Sequence, residues 1–144
     1  MGNQVSQGTL NRLRAHIVIP NFTSLNINPQ NMSKEFVRVS FSGDYDMQID
    51  TATGVVTSPE PYVMATIEVG ILRTQALGQA WRTQAESLSD LGPVSVFPDT
   101  SAFSEYDFQT CVIRHIDPGA FDGNDPVIRL TIGGVYYINN SLWS

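Results

Sequence analysis

The apolar pattern of this 144-residue chain predicts a mainly β protein that carries one inserted helix. Three neighbouring stretches carry that expectation. Residues 62–72 alternate over eleven positions, with Val63, Ala65, Ile67, Val69 and Ile71 on one face and Thr66 and Glu68 on the other. From about 74 to 90 the spacing turns helical. Leu77, Ala80, Trp81, Ala85 and Leu88 form one apolar stripe, and Gln75, Gln79, Arg82 and Glu86 take the far side. Gly92-Pro93 reads as the helix stop, and a new strand, Val94–Phe97, follows before Pro98.

The remaining elements are taken in chain order. Residues 1–14 are polar apart from Leu10 and Leu13 and read as an arm. Met1-Gly2-Asn3-Gln4-Val5-Ser6 fits the acylation pattern loosely, and a flexible arm is the simpler reading. Ala15, Ile17 and Ile19 then mark a half-buried strand stopped by Pro20. Residues 21–33 are loop, with a short strand near Leu25–Ile27. Val37, Val39 and Phe41 alternate with Arg38, Ser40 and Ser42 in the next strand.

Residues 43–61 form a long excursion through a Thr53-Gly54 turn, with Pro59 and Pro61 at its exit, and read as a protruding hairpin or loop. The helix follows the strand at 62–72, with Thr74 as its expected N-cap. Residues 108–116 alternate with Cys111, Ile113 and His115 on one face. Asp117-Pro118-Gly119 and Asp122-Gly123-Asn124-Asp125-Pro126 are turn chemistry. Ile128, Leu130 and Ile132 make a further strand, Gly133-Gly134 reads as a two-residue hairpin turn, and Val135–Ile138 as the last strand.

The length suits one domain. The charged fraction of 15% is low for a soluble monomer, which suggests a surface partly covered by partners. Net charge is −6, with Lys34 the single lysine and the arginines scattered, so no basic stripe exists to neutralise phosphates and specific nucleic-acid binding is not expected. Cys111 is the only cysteine, which removes an internal disulfide and a four-cysteine zinc site. No apolar run is long enough for a membrane span and no secretory signal is evident, so synthesis in a reducing compartment is expected. For the same reason Asn21-Phe22-Thr23, Asn31-Met32-Ser33 and Asn139-Asn140-Ser141 read as plain polar loops rather than glycosylation sites.

No catalytic pattern stands out. There is no Gly-x-Ser-x-Gly elbow and no glycine-rich phosphate loop around Lys34. His115 and Asp117 share a strand face, but Asp117 precedes Pro118-Gly119 and reads as a turn residue. His16 has no ligand pattern around it. Asp44-Tyr45-Asp46 lacks further calcium ligands at loop spacing, and Asp122-Gly123-Asn124-Asp125 lacks a distal bidentate glutamate. No enzymatic activity, cofactor or metal is expected.

Several features in order resemble the tail tube proteins of long-tailed bacteriophages, contractile ones especially. They are Ser58-Pro59-Glu60-Pro61-Tyr62 before Ala65–Val69, Gln75-Ala76-Leu77 and Trp81 on the helix, and Leu91-Gly92-Pro93-Val94. Cys111-Val112-Ile113 and Asp122-Gly123-Asn124-Asp125-Pro126 running into Val127–Thr131 complete the set, which covers most of the chain after about residue 15. The resemblance implies a β-sandwich or barrel of two packed antiparallel sheets with a flanking helix, forming a single tail tube domain. It implies hexameric rings stacked into a hollow tube in the virion tail, made in the bacterial host cytoplasm. Its expected partners are further copies of itself, a tape-measure protein, baseplate and neck proteins, and a sheath protein if the tail contracts. DNA would pass without specific binding, which suits an acidic channel, and no membrane insertion is expected.

Within that frame, Arg38, Ser40, Thr66 and Glu68 are candidate lumen-facing residues, because they lie opposite apolar faces. An outer-wall position is their alternative. Asp46, Gln48, Asp50, Thr53 and Glu60 on the excursion are candidates for ring stacking, and the arm 1–14 and tail 139–144 for further inter-subunit contacts. Arg82 and Glu86 are candidate outer contacts of the helix. Two other functions fit the residues: a ring that initiates or terminates the tube, and a small ligand-binding β-barrel.

Overall fold

The computed structural model describes residues 2–144. Met1, the first residue of the expected arm, lies outside them. Eight strands and one α-helix follow in the order β1 (His16–Val18), β2 (Met32–Ser42), β3 (Asp46–Asp50), β4 (Val55–Pro59), β5 (Tyr62–Leu72), α1 (Ala76–Ser87), β6 (Asp90–Phe97), β7 (Tyr106–Asp117) and β8 (Val127–Tyr137) among the described residues. All pairings are antiparallel, and the fold is mainly β with one flanking helix. The two sheets are unequal: six strands in the order β1-β6-β7-β8-β5-β2, and a two-stranded ribbon of β3 and β4.

The large sheet is curled into a half-barrel. Phe41 on β2 and Tyr106 on β7 stand three strands apart, about 14 Å in a flat sheet. Their ring centroids are only 5.6 Å apart, so the sheet must bend to bring them together. Phe108 and Tyr136 complete this aromatic cluster, with Phe41 at 6.2 Å and 5.4 Å from them. Val63, Ala65, Ile67, Val69 and Ile71 of β5 are buried on the same concave face, with Leu130 and Ile132 of β8 beside them. α1 adds Trp81, which is fully buried, and Leu77, Ala80 and Ala85 pack partly against the same core.

Several local expectations change. The helix begins at Ala76 behind Gln75, which makes no side-chain cap, and ends at Ser87 with Leu88 already extended. Leu88 therefore leaves the apolar stripe and is exposed. Gly92-Pro93 does not stop the helix; it lies inside β6 at a register shift, where Gly92 takes φ +74. Gly133-Gly134 is no turn, because β8 runs unbroken through both residues. A Cβ on Gly134 would sit 2.7 Å from Cys111 Sγ and 3.3 Å from Phe108 Cβ, and one on Gly133 would collide with the Arg114 guanidinium. These glycines are required by close cross-strand packing, not by a bend.

That crowding coincides with irregular pairing on β7. Register shifts fall between Gln109 and Val112 and between Ile113 and His115, and Thr110 has φ +52. Each shift moves the following side chains to the other face. As a result His115 does not share the inner face of Cys111 and Ile113; it is exposed, and Ile116 turns inward instead. A similar shift on β2, with Phe36 at φ +55, precedes the regular alternation from Val37. Near Leu25–Ile27 there is a single helical turn and one bridge from Ile17 to Ile27 rather than a strand.

Candidate assembly surfaces

On the convex face of the sheet, Arg38 lies opposite Glu68 and Ser40 opposite Thr66 in the β2–β5 register. The pairing continues from Glu68 to Thr131 on β8 and from Thr131 to His115 on β7. The four sequence-derived lumen candidates thus form one contiguous polar strip backed by the core. Arg129, whose register partner on β5 is Gly70, donates to Glu35 on β2 at 3.2 Å. That hydrogen bond, with the carboxylate's charge, holds the Arg129 pKa above its ordinary value. The strip and these charges enclose a shallow groove of about 620 Å³ that includes Glu68, His115 and Asp117.

The two edges of the curled sheet leave an open seam. A groove of about 900 Å³ runs along it, with Lys34, Val37 and Val39 on the β2 side and Ala15, Val96 and Phe97 on the other. The arm is tied down beside this seam, since Asn11 N–H donates to the Asp99 carbonyl at 2.9 Å and Arg14 donates to the Pro98 and Thr100 carbonyls.

Residues 46–59 form the β3–β4 ribbon, and all ten of its strand residues are exposed. Its register gives it two unlike faces. Asp46, Gln48 and Asp50 stand opposite Pro59, Thr57 and Val55, whereas Met47 and Ile49 stand opposite Ser58 and Val56. Thr53 lies at the tip, where Thr51 closes the turn by hydrogen bonds with Gly54. Glu60 lies at the root: its N–H donates to the Tyr45 carbonyl at 2.9 Å, and its own carbonyl accepts from Asn139 at 2.8 Å. The five stacking candidates are therefore divided among one face, the tip and the base. The apolar face of Met47, Ile49 and Val56 was missed by sequence reasoning, because only the cross-strand register brings those three together.

On α1, Arg82 and Glu86 pair with each other at 3.1 Å and are 68% exposed, so a partner would meet a dipole rather than a net charge. Beside them lies a groove of about 560 Å³ between α1 and the β7–β8 loop. Arg73 organises that loop by donating to the carbonyls of Pro118, Ala120 and Asp125, while its guanidinium lies 4.8 Å from the Phe121 ring centroid. The sequence held no signal for this clasp, since the acceptors are backbone oxygens. Asp122 accepts from the N–H groups of Asn124 and Asp125, which lowers its pKa and fixes the turn.

Of the residues weighed for chemistry, His115 and Asp117 line one groove but hydrogen-bond to separate partners. Asp117 accepts from the Gly119 N–H at 3.0 Å, His115 Nδ1 donates to the Arg114 carbonyl, and His16 stacks on Phe97 at 4.2 Å. Among the described residues no group of three or more His, Cys, Asp or Glu is arranged to hold a metal ion, and no helix is long and apolar enough to cross a membrane.

No protein-family model matches the chain, and no curated protein matches it. Solved structures do. A chain in the tail of an empty gene transfer agent particle, determined by helical refinement with C6 symmetry, superposes with TM-score 0.59 at 12% identity, over 88% of this chain and 96% of that one. A chain in the virion of a native gene transfer agent particle gives TM-score 0.61 at 10% identity, over 86% and 95%. The fold is therefore shared with a chain of a gene transfer agent tail and a chain of a gene transfer agent virion, over most of the length of this chain.

Proposed function

We propose that this chain is a structural tail protein whose single domain assembles into six-membered rings, stacked into a hollow tube through which a genome is delivered. The observation that carries the reading is the half-barrel sheet, with β2 left as an unpaired edge, in a fold that superposes on a chain of a tail of C6 helical symmetry over 88% of its length. An open edge exposes unpaired backbone donors and acceptors, and pairing edges between subunits satisfies them. A concave face filled by Phe41, Tyr106, Phe108 and Tyr136 argues against a ligand-binding barrel.

In this reading Arg38, Ser40, Thr66 and Glu68 line the channel, and the acidic balance of −6 keeps DNA from adhering. The ribbon carrying Asp46, Gln48, Asp50 and Thr53, rooted at Glu60, joins ring to ring. The Arg82–Glu86 face of α1 meets a sheath protein if the tail contracts, and a tape-measure protein occupies the channel before ejection. Sedimentation of the purified chain tests the reading. Species that are multiples of six chains support it, and a monomer at every concentration overturns it. Six-membered rings that never stack would make it a tube-terminating ring instead.

A further inference from the structure

The last residues of the chain fold back onto the root of the ribbon. β8 ends at Tyr137, Ile138 is buried, and Asn139 takes the left-handed conformation, φ 49, that turns the backbone into a single 3-10 turn at Asn140–Trp143. Asparagine is one of the few residues besides glycine that adopt this conformation readily. The reversal sets its side-chain amide between the two stems of the ribbon. Asn139 Nδ2 donates to the Tyr45 carbonyl at 3.0 Å and to the Glu60 carbonyl at 2.8 Å. Both partners are acceptors only, so the amide nitrogen, and not its oxygen, must face them. Beside it the Ile138 N–H donates to the Pro61 carbonyl at 3.2 Å, and Trp143 Nε1 donates to the same oxygen at 3.3 Å. The Trp143 ring stands edge-on to Tyr137 at 5.4 Å.

The ribbon's other ties to the body leave it free to turn. β3 and β4 pair only with each other, and their strand residues are all exposed. The hydrogen bond from the Glu60 N–H to the Tyr45 carbonyl continues their ladder, so it moves with the ribbon. Tyr45 rests edge-on against Phe41 at 6.5 Å, a contact that permits rotation about its stem. Gly43, at φ +83, precedes that stem in open space, with nothing within 4 Å of the place a Cβ would take. Such a joint is a ready hinge. An amide bonded to one carbonyl on each stem opposes the turn, because both bonds cannot survive a rotation of the stems against β8.

We propose that residues 139–144 act as a strap within their own copy, with Asn139 as the positioning residue that holds the ribbon at one angle to the sheet. The assignment concerns the single chain and stands whether or not rings stack. It gives the tail a task inside its own subunit, where the sequence suggested contacts between subunits. A ribbon already oriented has less freedom to lose when it meets any partner.

Distances between paired spin labels test the strap. Ala52→Cys at the ribbon tip and Val112→Cys on β7 are both exposed, and the buried native Cys111 takes no label. Labelled chains are diluted into unlabelled ones, so that only distances within a copy are read. The labelled chain with Asn139 intact should give one narrow distance distribution. Asn139→Gly keeps the left-handed backbone but deletes both donors, and should lose the narrow distribution for a broad one while the thermal midpoint holds. Asn140→Ala leaves both bonds in place and should stay narrow. A distribution that stays narrow in Asn139→Gly, or is already broad with Asn139 intact, overturns the strap. Broadening in Asn140→Ala as well would trace the effect to the turn and overturn the role of Asn139. Loss of the thermal transition in Asn139→Gly would make the residue a folding contact and overturn it equally.

Discussion

Gly134 shows how a residue can be misread in sequence and still be dictated by physics. A glycine pair between two apolar runs is turn chemistry by local rules, yet here the absent side chain admits Cys111 and Phe108 from the adjacent strand. Gly134→Ala is expected to cost about 1–3 kcal/mol through overpacking, read as a lowered thermal midpoint. Gly133→Ala should cost less, since its obstacle is the movable end of Arg114. Trp81 supplies a second test. Its indole N–H is buried without a partner among the described residues. Trp81→Ala should destabilise by about 3–5 kcal/mol, whereas Trp81→Phe should cost clearly less, since it deletes an unmatched donor worth about 1–3 kcal/mol. Burial pushes the Cys111 thiol up to about 12. An unfolded thiol ionises near 8.5 to 9, so the folded state keeps a proton that the unfolded state loses. Stability should fall as pH rises from about 9 towards 12, more steeply than in Cys111→Ser, when followed by denaturant unfolding.

At the scale of elements, long regular runs were legible and shifts of register were not. The alternation of β5 gives its buried face residue by residue, because a strand covered on one side writes that burial into every second position. β7 defeats the same logic: the register shift between Ile113 and His115 places His115 on the face opposite the one its spacing implies, and no residue type announces it. The helix was legible from its stripe, but its end was not, since Gly92-Pro93 served β6 instead. The Arg38–Glu68 and Ser40–Thr66 pairs were half legible, each residue readable as outward but their adjacency visible only in the register. Removing residues 46–57 tests the ribbon as an element. Its strand residues are all exposed, so the thermal transition of the shortened chain should stay close to that of the full chain, while long assemblies disappear from electron micrographs. Tubes of normal length would refute a stacking role.

For the whole molecule, the decisive property is that its half-barrel leaves edges, a seam and an apolar ribbon exposed. A monomer so built would present pairing-competent strands to water, an aggregation hazard that closed symmetric assembly removes. Negative-stain electron microscopy of the purified chain is the most direct test of that claim. The account predicts hollow tubes, or stacks of rings, whose end views show six-fold symmetry around an open channel. Dispersed single particles, or solid filaments without a channel, would contradict it.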